Sequence, residues 1–313
     1  MRVLLALGGN AMTNADGRAR VEDQQAAAAV AMAAVAELIE TGVDVVVTHG
    51  NGPQVGNLLV KNEIAATVVP PVPLDWCGAQ TQATLGFTLM NALDTQLARR
   101  GIDRPTATVV TRALVDVDDP GLSTPSKPIG RHLPEEEARA LMDHGQVWQD
   151  RGEKGWRRVV ASPEPVEILD AGAVHTLVAA GYVVVANGGG GIPVVRDRDG
   201  LRGVEAVIDK DLGAALLAAT VDAEVLVVAT DVAHAVLRYG RPDAEPLGRV
   251  EVSRLREHLA AGHFASGSMG PKVEAACRFV EHGGGRAVIT QLDQILDAVA
   301  GTAGTVVVPD ETE

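Results

Sequence analysis

The sequence predicts an α/β fold built on a mainly parallel central sheet with helices on both faces. Short runs of Val, Leu and Ala alternate with longer helical patterns along the 313 residues. Those runs are apolar almost throughout, as strands buried on both faces must be. Glycines stand just past several helix ends, where a left-handed residue lets the chain turn back toward the next strand.

Taken in order, the candidate strands are Val3–Leu7, Val43–Thr48, Thr106–Val110, Tyr182–Ala186, Glu224–Ala229, Arg286–Ile289 and Thr305–Val308. Helices are expected near Asp23–Glu40, Pro53–Glu63, Asp75–Arg99, Asp170–Ala180, Lys210–Ala219, Val252–Ala261 and Pro271–His282. Gly42, Gly101, Gly181 and Gly283 follow four of these helices. From about Asp116 to Ser162 the rhythm breaks into a stretch rich in Pro, Gly and charge. A short helix near Pro134–Asp143 and a hairpin pairing Gln146–Asp150 with Trp156–Val160 are expected there. Trp148 and Trp156 should pack within or beneath that hairpin. The stretch 116–162 therefore reads as an inserted subdomain within a single domain spanning 1–313.

Composition narrows the function classes. Hydrophobic residues make up 46% and aromatics only 3%, so the core must be built from Ala, Val and Leu. The formal charge is −14, with 41 acidic against 27 basic residues and no basic stripe, which argues against nucleic-acid binding. Small anions remain possible ligands, because surface charge is screened beyond ~8 Å and local donors decide binding. Cys77 and Cys277 form no CxxC or Cys/His pattern, so neither a zinc site nor a disulfide is expected. The apolar run Val3–Leu7 is too short for a signal-peptide core, and Ala26–Ala36 falls short of the ~20 residues that span a bilayer. A cytoplasmic protein that neither enters membranes nor binds nucleic acid is the expectation.

Open parallel sheets bind ligands beyond the carboxyl ends of their strands. Glycine clusters follow three candidate strands: Gly8-Gly9-Asn10, Gly50-Asn51-Gly52-Pro53 and Asn187 with Gly188–Gly191. Glycine allows backbone N–H groups to approach phosphate oxygens, and a helix N-terminus adds its positive end. None of the loops fits GxxxxGK[ST] or GxGxxG, which excludes a P-loop or a dinucleotide-binding fingerprint. Tight turning alone would explain any one such loop, but three at one sheet edge point to anion binding.

Three lysines sharpen this reading. Lys272 follows Pro271 at the start of a helix, where its charge opposes the helix dipole and invites an anion. Lys210 also opens a helix, between Asp209 and Asp211, either of which could cap it. Lys127 sits between prolines in Ser126-Lys127-Pro128-Ile129-Gly130, on an inserted loop able to reach over the sheet edge. No GxSxG elbow or HExxH spacing is present, so the chemistry must rest on cations and backbone donors. Phosphoryl transfer to a carboxylate suits such a site, since an ionised acceptor needs no general base.

These residues resemble the carbamate kinases of the amino acid kinase family. The resemblance runs through Leu7–Ala11, Thr48–Asn57, Lys127–Gly130, Trp156–Val160, Gly188–Pro193, Gly203–Asp211 and Gly262–Lys272. It implies a three-layer αβα sandwich of about eight strands, a homodimer, and a protruding subdomain over the active site. It further implies reversible transfer between ATP and carbamate, giving ADP and carbamoyl phosphate, and a place in arginine metabolism. By the same resemblance, Gly8, Gly9, Asn10, Gly50, Asn51 and Gly52 would hold the carbamate and the transferring phosphoryl group. Lys210 and Lys272 would bind ATP phosphates, Asp211 would organise the lysines, and Lys127 would close over the site. Thr230, Asp231, Val232, Ser268, Met269 and Gly270 would complete the nucleotide site, with Mg²⁺ carried on the phosphates. The segment Ala233-His234-Ala235 departs from the family pattern at the adenosine side. A sister kinase with another small carboxylate or phosphate substrate, and a non-catalytic nucleotide or carbamoyl phosphate sensor, are the alternatives. Residues 51–63 offer only Lys61 as an anchor for a larger substrate, which favours a very small one.

Overall fold

The buried aliphatic runs become an eight-stranded sheet in a computed structural model that describes residues 1–8, 20–265 and 267–311. Its strands are β1 (Arg2–Leu7), β2 (Asp44–His49), β3 (Thr106–Val109), β4 (Val183–Ala186), β5 (Val225–Thr230), β6 (Arg249–Glu251), β7 (Arg286–Gln291) and β8 (Thr305–Val308). The spatial order is β6-β8-β7-β5-β1-β2-β4-β3. From β3 across to β7 every neighbouring pair is parallel. β8 then runs antiparallel to β7, and β6 runs with β8. Seven of these strands coincide with the apolar runs of the sequence. β6 does not, because it is a three-residue edge strand with only Val250 half-buried, and no apolar run marks it.

Helices cover both faces: α1 (Val21–Glu40), α2 (Gly52–Ala65), α3 (Leu74–Arg100), α4 (Glu135–Met142), α5 (Ala171–Ala179), α6 (Lys210–Thr220), α7 (Val252–Ala260), α8 (Met269–Glu281) and α9 (Ile295–Ala300). Alternate residues of each strand feed separate cores, as a pleated strand requires. Val3, Leu5 and Leu7 of β1 join Met32 of α1, Leu85 and Leu89 of α3 and Ile295 of α9. Leu4 and Ala6 join Val174 of α5, Leu217 of α6, Leu255 of α7 and Phe279 of α8. Each such fully buried Leu stabilises the fold by about 1.5–3 kcal/mol. The result is the three-layer αβα arrangement. The helix-end glycines behave as expected: Gly42, Gly101, Gly181 and Gly283 have φ of 86°, 68°, 88° and 92°.

The inserted stretch forms a three-stranded antiparallel sheet, Lys127–Leu133, Trp156–Val160 and Val147–Asp150, with Trp156–Val160 in the middle. The expected hairpin is there, and Trp148 and Trp156 pack with Leu133 and with Ala138 of α4. Lys127, however, opens a strand where a proline-stiffened loop was expected. Pro128 argues against a strand in the sequence, yet this strand lies at the sheet edge and bulges between Ile129 and His132. Edges and bulges are where proline and a left-handed glycine, here Gly130 at φ 66°, are tolerated. A further four-stranded sheet joins Gly200–Gly203, Ile192–Asp197, Arg112–Val115 and Pro165–Ile168. Most of its strands are four residues long, too short to stand out as apolar runs. Among the described residues, no helix is long and apolar enough to cross a membrane.

Both cysteines are fully buried. Burial raises both thiols, Cys277 to about 12, so the reactive thiolate is scarce. Ellman's reagent should therefore label neither cysteine in the native protein near pH ~8 and both after denaturation. Rapid labelling of the native protein would contradict this packing.

Candidate active site

Because β1, β2, β4 and β5 run parallel, their carboxyl ends open on one edge of the sheet. Gly8 follows β1, and Gly50, Asn51 and Gly52 lead from β2 into α2. Thr230 ends β5, and the N-termini of α6 and α8 face the same space. Together they enclose a cleft of about 500 Å³. Gly8, Gly50, Asn51, Gly52, Lys127, Lys210, Asp211, Thr230, Asp231, Ser268 and Lys272 all line it. Gly9 and Asn10 lie outside the described residues.

Helix capping decides how the two aspartates divide their work. Asp209 is the N-cap of α6, its Oδ1 accepting the Asp211 N–H at 2.9 Å. That cap fixes Lys210 and Asp211 as the first two helical residues. Asp211, 3% exposed, then lies between two ammonium groups. Its Oδ1 accepts from Lys210 Nζ in a close contact, and its Oδ2 accepts from Lys272 Nζ at 2.9 Å. Burial alone would raise the Asp211 carboxyl, but the Lys210 and Lys272 ammonium groups outweigh it and hold it well below the usual carboxylate range. Burial lowers the Lys210 ammonium, Asp211 draws it back, and Lys272 pushes it down again. One carboxylate thus faces two cations. An arriving phosphate would relieve the imbalance, and in a cleft of reduced dielectric that attraction is strong.

Lys272 reaches Asp211 from the first turn of α8. That helix begins at Met269, so Pro271 is its third residue rather than its first. The shift costs nothing, since the N–H groups of the whole first turn lack intrahelical acceptors. The conflict between Lys272 and the helix dipole, visible in the sequence, is met here by Asp211.

Lys127 enters from the inserted sheet, its Nζ 2.5 Å from Asp209 Oδ2. The strand carrying it rests on α2 at a glycine contact. A Cβ added to Gly56 would lie 2.9 Å from Gly130 Cα, so no larger residue fits there without lifting the strand. The third glycine cluster serves packing more than ligand approach. Of Gly188 to Gly191 only Gly189 lines the cleft. A Cβ at Gly188 would strike the His49 ring at 2.5 Å, and one at Gly189 would strike the Asn51 amide at 2.2 Å. Those glycines therefore let His49 and Asn51 sit where they do. Asn51 is held further by donating to Thr81 Oγ1 at 2.9 Å. His49 Nδ1 lies 3.0 Å from the Gly50 carbonyl, which can only accept, so that nitrogen carries the proton. Burial lowers the ring to about 4, and it is neutral at physiological pH.

The residues expected on the nucleotide side come together less completely. Thr230, Asp231 and Ser268 face the cleft, whereas Val232, Met269 and Gly270 are not among its lining residues. Met269 packs against the core, and the buried Gly270 donates its N–H to Ala265 at 2.9 Å. The unusual segment Ala233–Ala235 is tied elsewhere. Ala235 is fully buried with its N–H on Thr305 Oγ1 at 2.9 Å, and the His234 ring meets the Leu247 carbonyl at 3.1 Å. Sequence reasoning passed over His49, Thr81 and the pairing of Asp209 with Lys127. His49 lay within a quoted motif and Thr81 on an expected helix, but only their contacts reveal them.

No cluster of three or more His, Cys, Asp or Glu side chains suited to a metal occurs among the described residues. The two cleft aspartates next to the lysines are already engaged with ammonium and N–H donors. The site's resources are backbone donors, a side-chain amide and three lysines, a set able to bind and stabilise a transferring phosphoryl group.

Comparison with known proteins agrees with this geometry. The amino acid kinase family profile matches residues 1–291. A carbamate kinase of Thermococcus kodakarensis is 45% identical over 312 residues, covering 98% of this chain and 99% of its own. Carbamate kinase 1 of Enterococcus faecium is 44% identical, covering 97% and 99% respectively. The solved structure of Giardia lamblia carbamate kinase bound to AMP-PNP superposes with a TM-score of 0.92 at 38% identity, covering 99% of this chain and 98% of the other. The chain belongs to the amino acid kinase family, in its carbamate kinase branch.

Proposed function

We propose that the protein is a carbamate kinase, interconverting ATP plus carbamate with ADP plus carbamoyl phosphate. The observation that carries this reading is the buried Lys210–Asp211–Lys272 cluster facing glycine loops across one cleft. In the forward direction a carbamate oxygen attacks the γ-phosphorus while the bond to the ADP oxygen breaks. Carbamate is already an anion, so no proton has to be removed, and the absence of a base–nucleophile pair is no obstacle. Lys210 and Lys272 would hold phosphate oxygens and offset charge that builds on the transferring group. Gly8, Gly50, Asn51 and Gly52 would position the carbamate, and Lys127 would close over the phosphoryl group from segment 116–162, acting as a lid. Thr230, Asp231 and Ser268 would meet the nucleotide.

Mg²⁺ would ride on the nucleotide phosphates, supplying charge neutralisation there, because Asp209 and Asp211 are occupied by lysines. No arginine lines the cleft among the described residues, which favours a substrate as small as carbamate over a sister kinase's larger one. A cytoplasmic homodimer working in arginine metabolism completes the reading. The exposed Ile64, Trp76 and Phe87 on α2 and α3 offer apolar surface for a second subunit.

Supplied with carbamoyl phosphate, ADP and Mg²⁺, the protein should form ATP, read by a luciferase assay. ATP no higher than the uncatalysed background would leave only a sensor or a different acceptor. Lys210→Ala and Lys272→Ala should each lower kcat roughly 10²- to 10³-fold. Lys127→Ala should melt with the parent and turn over more slowly. Parental kcat in all three variants would remove the lysines from the mechanism.

A further inference from the structure

We infer that Asp209 is a positioning residue that latches the inserted sheet to the phosphate-binding helix through Lys127. The inference rests on the carbamate kinase reading for its kinetic consequence, and on geometry alone for the latch itself. Asp209 is nearly buried, with its side chain 12% exposed, and each of its oxygens has a different duty. Oδ1 caps α6 through the Asp211 N–H, and Oδ2 holds the Lys127 ammonium at 2.5 Å. Lys127 and Asp209 are 82 residues apart, so this contact joins two separate units of the fold.

The consequences follow from charge. Without Asp209, the Lys127 ammonium would lose its paired carboxylate while Lys210 and Lys272 stay close by, and mutual repulsion would drive it outward. With it, Lys127 is parked at the mouth of the cleft beside the residues that hold phosphate. The strand bearing Lys127 is also seated on α2 by the Gly56–Gly130 contact and by Ile129, which packs with Val55 and Leu59. Those contacts carry no charge, so they cannot set where the ammonium points. The Asp209 carboxylate does.

Asp209→Asn separates the two duties. Asparagine caps a helix as well as aspartate, so α6 should stay intact. With its one oxygen on the Asp211 N–H, asparagine would turn its NH2 group, a donor with no charge, toward Lys127, so the ammonium should be released. The test is a double-mutant cycle of Asp209→Asn and Lys127→Ala, read in two ways. Hydrogen exchange of residues 127–133 and 156–160 should quicken about equally in either single variant and no further in the double. In the ATP-forming assay, kcat should fall about tenfold in Asp209→Asn, with little change in KM for ADP, and not fall again when Lys127 is already gone. Additive effects in the exchange cycle, or parental exchange in Asp209→Asn, would overturn the latch. An unchanged kcat in Asp209→Asn alongside an active parent would overturn its positioning role. An inactive parent would instead count against the carbamate kinase reading, and the exchange cycle would still decide the latch.

Discussion

The cleft is organised around one buried carboxylate that faces two ammonium groups. Taking two lysines out of water at the ends of two helices is costly, and only a close counter-charge makes it tolerable. Asp211 supplies it, bonded to Lys210 beside it and to Lys272 from α8. Two ammonium groups share that one carboxylate, and a phosphate would offset their charge further. Much of the surrounding architecture can be understood as what holds this arrangement in place. The Asp209 cap fixes where α6 begins. α6 and α8 share a core with β1 and β5, which keeps their N-termini side by side.

Glycine plays two different parts around this centre. Gly8 and the Gly50–Gly52 turn face the cleft directly, where close backbone approach to a ligand is useful. The Gly188–Gly191 loop instead yields space to His49 and Asn51. His49 is neutral and donates to the Gly50 carbonyl, so it stiffens the second glycine turn without adding a further charge beside the lysines of the cleft. Loops that look alike in sequence thus differ in the fold: two border the cleft, and the third makes room for the residues beside it.

Much of this was legible in the sequence because it depends on local pattern. Seven strands of the main sheet are apolar runs, and the lysines at helix starts break a local electrostatic rule that only an anion or a carboxylate could mend. What remained hidden depends on contacts between distant residues. Nothing in Val207–Asp211 tells which aspartate caps α6, and nothing near Lys127 reveals Asp209 as its partner 82 residues away. The edge strand β6, the bulged strand at Lys127 and the second sheet were missed for a related reason. Short, half-exposed strands are held by their neighbours and carry little hydrophobic signal of their own.

Asp211 is therefore where the chemistry and the architecture meet. Asp211→Asn keeps the shape of the side chain while removing the charge between Lys210 and Lys272. Carbamoyl phosphate-dependent ATP formation, with folding checked by circular dichroism, should show kcat reduced by roughly 10²-fold or more in a folded protein. A folded Asp211→Asn protein with parental kcat would show that the two lysines do not depend on this carboxylate.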